Sequence, residues 1–116
     1  MASITMTTLT LNDQIVELDT EGFLRNLDDW NSTVASELAR LESIQLTDDH
    51  WKIIEILRDF YLEYQLTPAM RILVKQVSLQ LGKEKASSLY LLQLFPGSPT
   101  KIASKIAGLP KPTNCL

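Results

Sequence analysis

Apolar and polar residues alternate over residues 8–11 and again over 14–18, with Asn12-Asp13 between them, the pattern of a two-residue β-hairpin. Two strands alone are marginal in water, so Leu9, Leu11, Val16 and Leu18 are expected to cover helices. A turn at 19–22 ends in Gly22, and the bulky Phe23 and Trp30 after it read as anchors that fix a loop to the core. The period then changes to helical. Val34, Leu38, Leu41 and Ile44 mark one face of a helix over roughly 32–43. Thr47 stands as cap to the next, whose stripe runs through Trp51, Ile54, Leu57, Phe60 and Tyr61 toward Tyr64, with Asp48 and Asp49 suiting its positive end. Thr67 and Pro68 predict the cap and first residue of a third helix, carried by Met70, Leu73, Val74 and Val77 to Leu81 and stopped by Gly82. A fourth helical segment is read from Lys83 to Leu94. The last runs over 99–107, with Ser98 as cap, Pro99 at its first position and Gly108 as its stop.

The fold class predicted is predominantly α with a short N-terminal β-hairpin. It is a compact single-domain helical bundle over residues 1–116 with a protruding C-terminal arm at 108–116. A chain of 116 residues fits one domain with a core. No apolar run approaches the length of a membrane span, and residues 1–8 lack the charged and apolar regions of a signal peptide. One cysteine excludes an internal disulfide, which agrees with a cytoplasmic location. With His50 as the only histidine, no zinc site is expected and the metal assignment is none. His50 has no serine or cysteine beside it in a catalytic motif, and is read as exposed or locally hydrogen-bonded.

Charge is segregated along the chain. Residues 1–66 hold four Lys/Arg against thirteen Asp/Glu, whereas residues 67–116 hold seven against Glu84 alone. The basic half suits an acidic protein, RNA or an anionic sulfur species.

The sole cysteine, Cys115, is the penultimate residue. Pro110 and Pro112 lack amide donors and push the residues before them toward extended geometry, so the tail reads as a semi-rigid spacer. Two readings stand: an inert thiol at a chain end, or a chemically used thiol on a short arm. In the second, Lys111, Lys105 and Lys101 favour the thiolate and the terminal carboxylate opposes it.

The segments Phe60-Tyr-Leu-Glu-Tyr64, Thr67-Pro-Ala-Met-Arg71, Leu81-Gly-Lys-Glu-Lys85 and Leu94-Phe-Pro96, and above all the run from Lys105 to Leu116, resemble the DsrC/TusE sulfur-relay family over nearly the whole chain. The resemblance implies a small helical protein whose penultimate cysteine carries sulfur between partners on a C-terminal arm. It needs no cofactor, only a transient Cys115 persulfide, and acts as a carrier rather than a stand-alone turnover enzyme. It further implies partner docking at Lys101, Lys105, Lys111, Arg71 and Lys75, with arm geometry set by Gly108, Pro110 and Pro112.

Family members of the dissimilatory branch resemble two-thiol carriers; here Ser104 stands eleven residues before Cys115, and serine cannot exchange thiols. The chain is therefore more similar to the single-cysteine branch typified by TusE, which relays sulfur toward tRNA 2-thiouridine modification. Residues 86–92 and 97–102 depart from the family's usual runs. The partners implied are sulfur-donor and sulfur-acceptor proteins, among them a tRNA-thiolation enzyme or a sulfite-reductase-like complex, with no membrane. Two alternatives stand beside the carrier. One is a regulatory or scaffold protein that binds sulfur-metabolism enzymes. The other, ranked lower, is a DsrC-related partner in dissimilatory sulfur metabolism or a regulator that binds nucleic acid directly through residues 65–81 with Arg71, Lys75, Lys83 and Lys85.

Overall fold

The computed structural model describes residues 6–11 and 13–112. Strands β1 (Met6–Leu11) and β2 (Gln14–Asp19) pair antiparallel, with Leu9 opposite Val16 and Leu11 opposite Gln14, the two-residue connection expected. This register turns Val16 and Leu18 into the core, while Leu9 and Leu11 pack against its edge. The Asp19 carboxylate then accepts the amides of Glu21 and Phe23, which closes the turn and delivers Phe23 and Leu24 into buried positions.

Among the described residues a 3₁₀ turn (Leu27–Asp29) leads into five α-helices: α1 (Ser32–Leu41), α2 (Asp48–Tyr64), α3 (Met70–Leu81), α4 (Ser88–Leu94) and α5 (Pro99–Ile106). Their apolar faces meet in one core that includes Val34 and Leu38 of α1, Ile53, Ile54 and Leu57 of α2, Leu73 and Val77 of α3, Leu91 of α4, and Ala103 and Ile106 of α5. No helix of the described residues is long and apolar enough to cross a membrane.

Three local expectations need correction. Thr67 and Pro68 do not start α3; that helix begins at Met70 behind Ala69, and the Thr67 hydroxyl instead donates to a carbonyl of the C-terminal segment. The helical segment read from Lys83 to Leu94 is broken: a 3₁₀ turn at Lys83–Lys85 precedes α4, and Ser87 caps α4 by accepting the Tyr90 amide at 3.0 Å. Ser98 does occupy the N-cap position of α5, with Pro99 following, but its side chain makes no capping bond.

His50 is buried rather than exposed, and its bonds are not only local. The Thr47 amide donates to its Nδ1 at 3.0 Å, so the proton sits on Nε2, which donates to the Leu94 carbonyl at 2.7 Å. The ring also meets Phe95 edge-on at 5.1 Å. One imidazole therefore ties the start of α2 to the end of α4. Replacing it by phenylalanine keeps an aromatic ring but strands an amide and a carbonyl, so His50→Phe is expected to cost about 1–3 kcal/mol in urea unfolding. An unchanged midpoint would contradict the tie.

Candidate functional site

The C-terminal segment springs from α5, and the carbonyls at that helix end are all accounted for. The Leu109 amide reaches back to the Ser104 carbonyl at 3.0 Å and the Gly108 amide to Lys105 at 3.1 Å, a Schellman closure with Gly108 left-handed at φ +73°. The next two carbonyls take side chains from distant elements. The Trp30 indole N–H donates to the Ile106 carbonyl at 2.9 Å, and the Arg58 guanidinium donates to the Ala107 carbonyl at 2.6 Å. Arg58 also lies over the Trp30 ring, 3.9 Å from its centroid, so cation, ring and helix end form one stack. A guanidinium here complements the negative pole of α5. Burial alone lowers the Arg58 pKa, yet an arginine stays protonated throughout the physiological range.

Beyond Gly108 the chain lies against the body as far as the structure describes it. Leu109 and Pro112 are buried. The Thr67 hydroxyl donates to the Pro110 carbonyl at 2.9 Å, and Lys111 pairs with Glu21 at 2.8 Å. A cleft of about 190 Å³ lies between Tyr61, Gln65, Leu66 and Thr67 and the arm residues Pro110 and Lys111. Residues 113–116 lie outside the described residues, Cys115 among them.

The basic residues proposed from sequence fall into two groups. Lys101 and Lys111 converge on Glu21, at 3.6 and 2.8 Å. Lys105, its side chain only 12% exposed, pairs with Glu42 at 2.9 Å and lies 5.5 Å from the Phe23 ring. These three lysines are thus set against carboxylates from the first half of the chain. Arg71 and Lys75 lie exposed on α3, apart from this cluster. Ser104 is fully buried on α5, its hydroxyl without a hydrogen-bond partner among the described residues.

Sequence reasoning missed Arg58, Thr67, Glu21 and Glu42 as contributors, and gave Trp30 only an anchoring part. Arg58 left one readable sign: it falls midway between Ile54 and Leu62 on a spacing of four, a cation inside an apolar stripe.

The Glu21 carboxyl is held below its usual range, first by the hydrogen bond from Lys111, which outweighs the opposing effect of desolvation and is helped by the charge of Lys101. A carboxyl lowered in the folded state contributes above its unfolded pKa and loses that contribution as pH falls through the folded value. Docking of the arm root is therefore expected to be constant at neutral pH and to loosen below about pH 4.5. Hydrogen exchange at the Leu109 and Lys111 amides checks this, with Glu21→Gln abolishing the acid-dependent component. A profile identical in the variant would remove Glu21 from the latch.

The body of the fold thus secures every carbonyl at the end of α5, where the C-terminal segment begins. The chain belongs to the DsrC-like protein family, whose profile matches residues 10–116. Among its relatives, a protein named sulfurtransferase TusE from Buchnera aphidicola is 50% identical over 101 residues, 87% of this chain and 89% of the relative. A sulfurtransferase TusE homolog from Haemophilus influenzae is 50% identical over 108 residues, covering 93% of this chain and 99% of that one. The solution structure of DsrC from Allochromatium vinosum superposes with a TM-score of 0.87 at 47% identity, covering 96% of this chain and 99% of that one.

Proposed function

We propose that this chain carries sulfur as a persulfide on Cys115 and passes it between protein partners, in a relay toward tRNA thiolation. The observation that supports this most strongly is that the family match extends through the last residue, and so includes the Cys115-Leu116 tip.

The chemistry requires one thiolate. The Cys115 thiolate attacks the terminal sulfur of a donor persulfide; the donor's S–S bond breaks, its cysteine leaves as thiolate, and Cys115-S-SH forms. The acceptor thiolate repeats the attack on that terminal sulfur, and Cys115 leaves as thiolate. Sulfur moves without net oxidation. Because Lys101, Lys105 and Lys111 already face Glu21 and Glu42, their positive charge is partly committed, and activation of Cys115 falls to the partner's site. Intact-mass analysis after incubation with a protein persulfide donor tests the assignment. One added sulfur on Cys115, absent in Cys115→Ser, is the expected result; no adduct across competent donors would reject the carrier.

Ser104 fits a relay that runs on one thiol. Its unpartnered buried hydroxyl is a site that a thiol, which is less costly to bury, occupies without loss. Ser104→Cys is therefore expected to fold normally. Under mild oxidation it should link to Cys115 within the monomer, provided the tail brings the two α-carbons to ~4.4–6.8 Å. Nonreducing mass mapping reads the outcome: an internal link supports a fold-back arm, and purely intermolecular disulfides contradict it.

A further inference from the structure

The side chains that hold the arm root also form one wall of a groove of about 240 Å³ on the surface of α2. Its apolar lining is Trp30, Trp51, Ile54 and Leu62, and the carboxylates Glu55 and Asp59 line it too. Leu62 is 70% exposed, a large apolar side chain left in water beside two half-buried indoles.

The acidic lining comes at a cost. Glu55, Asp59 and Glu63 follow one another at spacings of four along α2 and are all exposed. Like charges at that spacing weaken a helix by a few tenths of a kcal/mol per pair. Among the described residues none of the three is ion-paired, although other carboxylates of the chain, Asp49, Glu21 and Glu42, each have a lysine. The one cation in the groove, Arg58, is turned inward onto the Trp30 ring and the Ala107 carbonyl. The field at the opening is therefore negative over an apolar lining.

We infer that this groove is a docking surface for a relay partner that presents an apolar side chain flanked by lysine or arginine. The inference rests on the carrier reading and names where the partner sits. Position supports it: Gly108, where the arm begins, packs directly on Trp30. Cys115 lies seven residues further on, with residues 109–112 held on the body, so a partner seated on the groove sits beside the root of the segment that carries the thiol.

Both tryptophans of the chain line the groove, so indole fluorescence and the two indole N–H resonances report its occupancy directly. The probes are two synthetic peptides with the same Leu-Phe pair, one flanked by Lys and Arg and one by Glu. The basic peptide is expected to shift both indole signals at micromolar concentration, and the acidic peptide to leave them unmoved. Glu55→Lys with Asp59→Lys should weaken the basic peptide about tenfold or more, and Leu62→Ser should weaken it by removing the apolar contact without altering the fold, since Leu62 is exposed. Equal response to both peptides, or binding indifferent to charge reversal, would overturn the inference. So would indole shifts produced instead by self-association or by an oligonucleotide. Loading of Cys115 by a small-molecule persulfide serves as the separate readout: it should be the same in the groove variants and in the native chain. Its failure in the native chain would count against the carrier and not against the groove.

Discussion

Gly108→Ala is expected to lower the stability of the fold by about 2–4 kcal/mol, summing a left-handed alanine and an overpacked contact. Gly108 sits at φ +73°, where a Cβ is disfavoured, and that Cβ would lie 2.3 Å from Trp30 Cδ1 and 2.6 Å from Cγ. Neither group yields easily. The indole is fixed by its bond to the Ile106 carbonyl and by Arg58 stacked upon it, and Gly108 by the Schellman closure. For a chain of this size the loss corresponds to a fall in Tm of roughly 10 °C. A double-mutant cycle separates the causes: in a Trp30→Ala background the same substitution should cost only the backbone part, ~1–2 kcal/mol. Equal costs in both backgrounds would show that the indole does not press on the arm root.

The elements that sequence made legible are those written in local periodicity. Alternation placed the hairpin and its two-residue turn, and the spacing of Val34 and Leu38, or of Ile54 and Leu57, placed α1 and α2, because those residues bury one face of a regular element. The misreadings occurred where a local signal competed with a distant one. Thr67 has the side chain of a helix cap, yet α3 starts at Met70 and the Thr67 hydroxyl donates to the Pro110 carbonyl, 43 residues on. Residues 83–86 and 91–94 are good helix formers, but Ser87 between them can cap in place and does.

The site shows the same division. Gly108 as the stop of α5 was readable from the residue type alone, since a left-handed position after a helix selects glycine. Trp30 and Arg58 were not readable as its supports, because the bonds they make span 76 and 49 residues. Charge segregation along the chain is not segregation in space: the fold lays Lys85 on Asp49, Lys105 on Glu42, and Lys101 and Lys111 on Glu21, while Arg71 and Lys75 stay exposed on α3.

Cys115→Ser is expected to abolish sulfur relay while leaving the fold and partner docking unchanged. Cys115 is the only cysteine, so no second thiol can take over, and a serine hydroxyl forms no persulfide. The side chains that build the body and the arm root, Trp30, Arg58, Thr67 and Glu21 among them, are untouched by the substitution. The loss should therefore appear in transfer and not in association or melting. The direct measurement follows radiolabelled sulfur in a single turnover, from a persulfide donor through this chain to a tRNA-thiolation acceptor. Native protein should pass through a Cys115 persulfide that appears before label reaches the acceptor, and the serine variant should bind both partners and deliver none. Delivery at the native rate by Cys115→Ser, or label reaching the acceptor without ever residing on Cys115, would contradict the carrier account.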